Sequence, residues 1–483
     1  MAGIDEIREA RLHKLQTLKD RGIDPYPAKV PKDFPISFLK SNFDKYSGKE
    51  DIVSIAGRVI ALRGQGAILF AVLFDGTDNF QAIIKKDDLG EDTFKLFFDT
   101  VDVGDFISIS GTIMLSKTGE QSILATDWVM AGKTLLPLPD KWAGLQDADE
   151  KFRKRYLDFL TNPELRDLMI KKSKFWTAVR DFMNNNGFLE VETPTLETTT
   201  GGAEANPFKT HHDDYDLDVY LRISVGELWQ KRLMAGSFPK TFEIGRAYRN
   251  EGTSPDHAQE FTNMEFYWSF ADYEDGMKLV REMYIEVAKE VFGKTEFTSR
   301  GHTFDLSAEW PKLDYVEEVK KQTGIDLNTA DDSEIMKKLD ELGVKYDGEN
   351  RERLTDTLWK YCRKNISGPA FLVNHPALVA PLAKKIPGTK NVQRFQPIIA
   401  GLELGNGYSE LNDPIDQKER FEVQQKLIDG GDKEAMMPDW EFVEMLEHGM
   451  PPTCGFGFGE RFFAVLVDKP LRELQTFPLM KPR

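Results

Sequence analysis

The stretch from Lys240 to Phe270, KTFEIGRAYRNEGTSPDHAQEFTNMEFYWSF, limits what this chain can fold into more than any other, because it reads as two strands joined by a polar loop. Strand side chains alternate between faces, so Glu243, Gly245, Ala247 and Arg249 fall on one side of the first strand, with Phe242, Ile244 and Tyr248 on the other. In the second strand Phe261, Asn263, Glu265, Tyr267 and Ser269 oppose Met264, Phe266, Trp268 and Phe270. One face of the hairpin is therefore core. The other combines an arginine, a carboxylate and two aromatic rings among small residues, which supplies an anion clamp, a cation acceptor and a stacking platform.

The chain around this hairpin has 483 residues, of which 40% are hydrophobic and 11% aromatic, enough for about two to three domains with a large core. It contains no apolar run of about 18 residues, and Met1 to Asp20 is charged throughout, so the expectation is a cytoplasmic protein with no membrane span or secretory signal. Cys362 and Cys454 are the only cysteines; they lie far apart without metal-ligand spacing, which excludes a disulfide framework and predicts reduced thiols. A formal charge of −17 argues against a general polyanion binder, so any nucleic-acid contact must be local.

Ile4 to Lys19 has the pattern of an amphipathic helix, able to pack on a domain or on RNA. Val53–Leu62, Ala67–Phe74, Phe80–Lys85, Phe106–Leu115 and Ser122–Ala131 read as short strands, with turns at Asp75-Gly76, Val103-Gly104 and Thr118-Gly119. Five such strands suit a small barrel of the OB type, with another small barrel or a sandwich as the alternative. Leu135 to Lys141 reads as a linker, and the basic Lys151 to Arg155 as either a phosphate contact or a solvated helix face. Beyond Pro163 come a long helix to Asn186, a helix from Tyr273 to Phe292, and a helical stretch from Asp314 to Lys364. Strands follow from Ala370 to Tyr408, then a strand and a helix from Thr453 to Val467. Because strands and helices are segregated, the predicted class is α+β, an antiparallel sheet flanked by helices.

Two further stretches bear on chemistry. In GFGFGER, Gly455 to Arg461, glycine at every second position leaves one strand face as bare backbone, with Arg461 at the start of an apolar helix. This allows close approach of a flat or phosphorylated ligand, or simply close strand packing. In FLEVETPTL, Phe188 to Leu196, the proline suits an edge strand or a chain crossing.

Taken in order, the proline strand, the arginine hairpin and the glycine strand resemble the three signature motifs of class II aminoacyl-tRNA synthetases. Phe152 to Glu164 (FRKRYLDFLTNPE), Gly201 to Ser224 and Gly405 to Gln417 (GNGYSELNDPIDQ) look like the lysyl branch, and the likeness covers nearly all the chain from Ile52. The resemblance implies ATP-dependent activation of L-lysine and its transfer to tRNA(Lys) by a homodimer using Mg²⁺. It divides the chain into a helical extension (1–50), an anticodon-binding OB barrel (51–137), a linker (138–150) and a catalytic domain (151–483) with a helical insertion around 314–366.

Carried over residue by residue, the resemblance has Arg249 hold both the α-phosphate and the amino-acid carboxylate. Phe261 would stack on adenine, Glu251 and His257 contact the nucleotide, and Arg461 hold the γ-phosphate end. Gly202 and Glu227 would meet the α-amino group. Glu265 and Glu410 would pair with the ε-ammonium, with Tyr267 and Tyr408 as walls and Asn406 as polar partner. Glu403 and Gln396 occupy the metal positions, and Arg63, Phe70, Gln81 and Glu120 match anticodon-reading positions. Strict alternation puts Glu403 opposite Asn406, Tyr408 and Glu410, which a bulge at Gly405 to Gly407 would resolve.

Four places depart from the family pattern. Gln396 replaces a carboxylate, and Asp256 stands where a basic residue is usual. Ser224 to Glu227 is one residue longer than its counterpart, and GFGFGER is one residue shorter before its arginine. These departures suggest one alternative, a non-catalytic tRNA-binding or regulatory paralogue; the other is an enzyme of the same architecture that activates another amino acid or modifies a protein lysine.

Overall fold

The computed structural model describes residues 3–139, 145–202, 205–252, 254, 257–346, 350–377, 380–430 and 435–482. They form two compact units, Met1–Asn162 and Pro163–Arg483. Among the described residues no helix is long and apolar enough to cross a membrane.

In the first unit, α1 (Ile4–Asp20) precedes β1 (Val53–Gln65), β2 (Ile68–Phe74), β3 (Asn79–Lys85), β4 (Phe106–Leu115) and β5 (Gln121–Gly132). The five strands close into a barrel in the order β1-β2-β3-β5-β4. Period-2 patterning explains why: Leu69, Ala71 and Leu73 of β2 and Phe80, Ala82 and Ile84 of β3 all turn into the core. Register shifts between Val59 and Ala61 and between Ser110 and Gly111 bend the strands enough to close so small a barrel. Besides burying Leu18, α1 docks through polar groups. Arg11 donates to Thr134 Oγ1 (2.8 Å), Leu136 O (2.9 Å) and Val103 O (3.0 Å), and Lys14 pairs with Asp102 at 2.7 Å. The N-terminal helix therefore packs on its own domain. Within the basic run at Lys151, Arg155 is only 3% exposed and lies 3.1 Å from Asp158, so this residue is neither a solvated charge nor open to a phosphate.

The second unit begins with α2 (Pro163–Asn185), β6 (Leu189–Glu190), α3 (Glu227–Ala235), β7 (Lys240–Tyr248), β8 (Glu260–Ser269) and α4 (Tyr273–Phe292). It continues with β9 (Lys312–Asp314), α5 (Tyr315–Thr323), α6 (Asp332–Glu341), α7 (Arg351–Arg363), β10 (Ala370–Val373) and β11 (Arg394–Ile399). The last elements labelled are β12 (Leu402–Glu403), β13 (Asn406–Ser409), β14 (Thr453–Gly459) and α8 (Arg461–Val467). Nine strands form one sheet in the order β9-β10-β11-β13-β14-β8-β7-β6, with β12 paired to β11. Its middle is antiparallel as expected, and only the outer pairs β9–β10 and β7–β6 are parallel.

Phe242, Met264, Phe266, Phe456 and Phe458 all point to one side of this sheet, where they are buried with Phe175 and Phe182 of α2 and Met283 and Tyr284 of α4. Tyr284 stacks on Phe462 with centroids 3.8 Å apart, which locks α4 to α8. The start of α4 is set by Asp272, whose carboxylate accepts from the Glu274 and Asp275 N–H groups. Its end is Gly293 at φ +69°, in the left-handed region. Phe270 departs from the sequence expectation: it is 81% exposed, because β8 stops at Ser269 and the chain turns away with φ +60° at Phe270. The FLEVETPTL segment is both alternatives at once, an edge strand beside β7 at Leu189 and a crossing to a separate small sheet at Leu196.

Candidate active site

The face of the sheet opposite the aromatic core carries the expected polar residues, and strand register sets them in rows. Glu243 pairs with Glu265, Glu265 with Gly457, and Gly457 with Asn406. One step along, Tyr267 pairs with Gly455, Gly455 with Tyr408, and Tyr408 with Arg394. The glycines of β14 are required by these neighbours. A Cβ at Gly455 would collide with Glu410 Oε1 and lie 2.6 Å from Tyr267 Cε1, and one at Gly457 would lie 2.8 Å from Glu265 Cγ. Removing side chains from the central strand thus makes room for carboxylates and phenols reaching in from both sides.

Three of those carboxylates, Glu227, Glu265 and Glu410, are buried. Glu265 accepts from the Val225 N–H (2.7 Å) and Asn263 Nδ2 (2.9 Å) through Oε1, and from the Tyr267 hydroxyl (3.2 Å) through Oε2. Glu227 Oε1 accepts from the Tyr408 hydroxyl and from Lys231 Nζ at 3.0 Å. Lys231 Nζ also lies 2.6 Å from Glu410 Oε2, and it sits over the Tyr267 and Tyr408 rings at 5.8 and 5.4 Å. Burial pushes the Glu265 carboxyl up to about 7, with the charge of Glu227 adding to the effect. Burial likewise raises Glu410, to about 8, against the pull of Lys231. Gly202, at φ +94°, abuts Glu227; a Cβ there would come 2.7 Å from the Glu227 Oε2 and from the Ser224 Oγ.

Arg249 lies just past β7, its N–H donating to Gln259 O (2.8 Å) and its Nε to Ile223 O (3.3 Å). Its guanidinium is 5.4 Å from the Phe261 ring centroid, so the expected anion clamp and stacking ring are side by side. His257 is exposed in the hairpin loop with its Nδ1 2.6 Å from the Ser254 Oγ, and Glu251 is half-buried nearby. Asp256 lies outside the described residues. Arg461 opens α8 after a turn of a single residue, Glu460, which accounts for the shortened motif. Glu460 itself is buried; it accepts from the Thr262 N–H and Lys172 Nζ, both at 2.9 Å, and from Gln475 Nε2 at 2.5 Å.

A cavity of about 140 Å³ is lined by Gln396 and Glu403 together with Tyr315, Trp359, His375 and Arg394, and by Glu352, Arg353 and Asp356 of α7. Leu402 and Leu404 are core residues, so Glu403 points to the site face. The strand is interrupted at Leu404–Gly405, which restores that face to Asn406 and Tyr408. The irregularity thus precedes Asn406, slightly earlier than the bulge the sequence suggests. Glu403 accepts from Trp359 Nε1 (2.6 Å) and pairs with Arg363 (3.0 Å), while Gln396 Oε1 faces His375 Nε2 at 2.8 Å. Among the described residues no cluster of three metal-ligating side chains occurs. Glu403 beside the neutral Gln396 amide, with Glu352 and Asp356 also on the cavity wall, suits a Mg²⁺ whose other ligands are phosphate and water, and not a dedicated protein cage.

On the barrel, Arg63 and Phe70 are direct cross-strand partners, and Phe70 stands outside the barrel core. Gln81 is on the same outer face but only 7% exposed, its Nε2 donating to Ser122 Oγ at 2.9 Å, and Glu120 is exposed at the β4–β5 turn. Sequence reasoning overlooked Lys231, Arg394, His375 and Glu460. For Lys231 a signal existed, since it follows Glu227 at the i,i+4 spacing of facing helix residues.

Residues 147–481 match the family described as tRNA synthetases class II (D, K and N), and residues 53–131 match the OB-fold nucleic acid binding domain. Relatives of nearly the same length bear the name lysine–tRNA ligase. The chain is 40% identical to that of Thermotoga maritima, covering 99% of this chain and 97% of the relative. It is 39% identical to that of Roseiflexus sp. (strain RS-1), covering 99% of both, and 41% identical to that of Listeria monocytogenes, covering 98% and 97%.

Proposed function

As this chain belongs to the class II tRNA synthetases (D, K and N), we infer that it activates lysine with ATP and joins it to tRNA, releasing AMP and pyrophosphate. The observation that supports lysine is the charge of the buried pocket. Glu227 and Glu410 share one ammonium, whereas Glu265 has hydrogen-bond donors but no ion-pair partner among the described residues. An ammonium leaving water needs such a partner, because an unpaired buried charge is strongly unfavourable. An aspartate side chain would add a further carboxylate beside one that already lacks an ion pair.

In this reading the substrate carboxylate attacks the α-phosphorus and pyrophosphate leaves, so no protein nucleophile is needed. Arg249 bridges the two anions, holding them in line and offsetting their repulsion. Phe261 stacks on adenine, Glu251 and His257 contact the nucleotide, and Arg461 steadies the γ-phosphate end. Glu227 and the Gly202 backbone receive the α-amino group, Glu265 with Tyr267 receives the ε-ammonium, and Asn406, Tyr408 and Glu410 complete the walls. Mg²⁺, when bound, neutralises charge developing on the leaving pyrophosphate. Glu403 would hold it, with Gln396 contributing at most a neutral oxygen.

The reading extends to tRNA(Lys), whose anticodon would meet Arg63, Phe70, Gln81 and Glu120 on the barrel of residues 51–137, while residues 151–483 perform the chemistry. It also extends to a cytoplasmic homodimer formed through α2 and the FLEVETPTL segment, where Leu189 lies exposed on the edge strand β6. Amino-acid-dependent ATP–pyrophosphate exchange with all twenty amino acids tests the function. Lysine alone should support rapid exchange, and its failure to do so would sink the assignment.

A further inference from the structure

Lys231 is the one basic side chain whose ammonium lies inside the amino-acid pocket among the described residues, and at 1% exposure it is not available to solvent. It projects from α3 one turn after Glu227. Its Nζ lies 3.0 Å from Glu227, on the same helix, and 2.6 Å from Glu410, just after β13. The Tyr267, Tyr408 and Phe442 rings surround it, with centroids 5.4 to 5.8 Å away. Such a lysine costs desolvation and lost side-chain entropy, so it is retained only where its charge is needed.

The charge balance indicates what that need is. Glu227 of α3, Glu265 of β8 and Glu410 after β13 are the carboxylates around Lys231, and a fourth, the buried Glu197, accepts from Trp229 Nε1 at 2.9 Å and acts on Glu265. Lys231 is the cation among them, while Arg249 beyond β7 faces Glu251 as well as Glu265. Glu243 of β7 is already matched by Arg222 at 2.6 Å, and the phenols of Tyr267 and Tyr408 are neutral donors. Arg394 of β11 stands further off, hydrogen-bonded to Asn406 at 2.7 Å. Carboxylates outnumber cations, and among the described residues Glu265 is the one of the three nearest Lys231 without an ion pair. Lysine with both amino groups protonated and its carboxylate ionised carries one positive charge.

We propose that Lys231 is a specificity-determining positioning residue: its ammonium engages Glu227 and Glu410, so that Glu265 is the carboxylate left to receive the ammonium of a substrate with one net positive charge. The inference rests on the lysine reading of the site. Without Lys231 the pocket would lose one cation and would take up a proton to offset it. Substrate binding would then have to expel that proton, and the pH at which lysine binds well would rise.

The test is the pH dependence of the lysine KM in ATP–pyrophosphate exchange by the full-length protein. Lys231→Met is expected to move the midpoint of that profile up by about one pH unit or more, since the lost cation had favoured ionised carboxylates. Glu410→Gln removes a like charge and is expected to move it down. The double variant is expected to return it to within about half a unit of the starting value, well inside the single shift. A purely structural lysine would lower kcat/KM at every pH with the midpoint unmoved, and the second substitution would not restore it; either result overturns the proposal. If Lys231→Met does not fold, Glu410→Gln decides alone: a downward shift supports the proposal and an unmoved midpoint overturns it. Wild-type protein without lysine-dependent exchange would instead remove the functional reading beneath it.

Discussion

Replacing Glu265 by glutamine separates what this residue does for lysine from what it does for the fold. The glutamine oxygen can keep the hydrogen bonds from the Val225 N–H and Asn263 Nδ2, at 2.7 and 2.9 Å in the parent, and its amide can face the Tyr267 oxygen. Shape and local bonding are retained and only the charge is lost. For the bound ammonium that loss is large, because removing one partner of a buried, hydrogen-bonded charge pair costs about 2–5 kcal/mol. At about 1.4 kcal/mol per factor of ten, kcat/KM for lysine should fall roughly 30-fold to several thousand-fold. Stability should respond in the opposite sense. The Glu265 carboxyl is raised in the folded protein from 4.5 to about 7, so the folded state binds the extra proton. That stabilisation is complete below the unfolded value and is lost as pH rises towards 7. Glu265→Gln removes this dependence, so at pH 8 the variant should be at least as stable as the parent. Lysine-dependent exchange and urea unfolding of the same preparations measure the two effects. An unchanged lysine kcat/KM, or a stability loss above about 2 kcal/mol, the scale of a major structural defect, would refute the reasoning.

Lysine KM should itself fall as pH rises through about 7 to 8, because the substrate ammonium binds carboxylates that ionise over that range; exchange assays from pH 6 to 9 measure this. Gly455→Ala forces a methyl group against Glu410 and Tyr267, and overpacking of this kind costs about 1–3 kcal/mol, visible as a raised lysine KM and a lower urea midpoint. Phe70→Ala, outside the barrel core, should weaken aminoacylation of tRNA by about 1–3 kcal/mol while leaving exchange unchanged, which pairing the two assays on one preparation would check.

Element type and order could be read from the sequence because they depend on local periodicity. The five barrel strands and the helix Tyr273–Phe292 follow directly from the alternation and spacing of apolar residues, and the hairpin face follows from the same alternation. Features set by chain geometry or by distant partners could not be read this way. Phe270 continues the alternation, but a positive-φ turn takes it to the surface. Glu403 shares the site face with Asn406 and Tyr408 through an interruption at Leu404–Gly405, which Gly405 and Gly407 suggest but alternation alone does not place. Lys231 looks like one more charge on a helix until the fold brings Glu410 against it. Gln81 occupies the expected barrel face, yet its bond to Ser122 depends on which strand closes the barrel beside it.

The buried carboxylate of Glu460 has a consequence for how this chain can vary. It collects a backbone N–H from Thr262 in the hairpin, an ammonium from Lys172, 288 positions upstream, and an amide from Gln475 near the C-terminus. The next residue is Arg461. Substitutions at Lys172 or Gln475, neither of which needs to approach a nucleotide, would therefore be felt first as a displaced guanidinium. These remote positions should tolerate change only in combination, and a survey of tolerated substitutions would find them inherited as a set with the arginine they support.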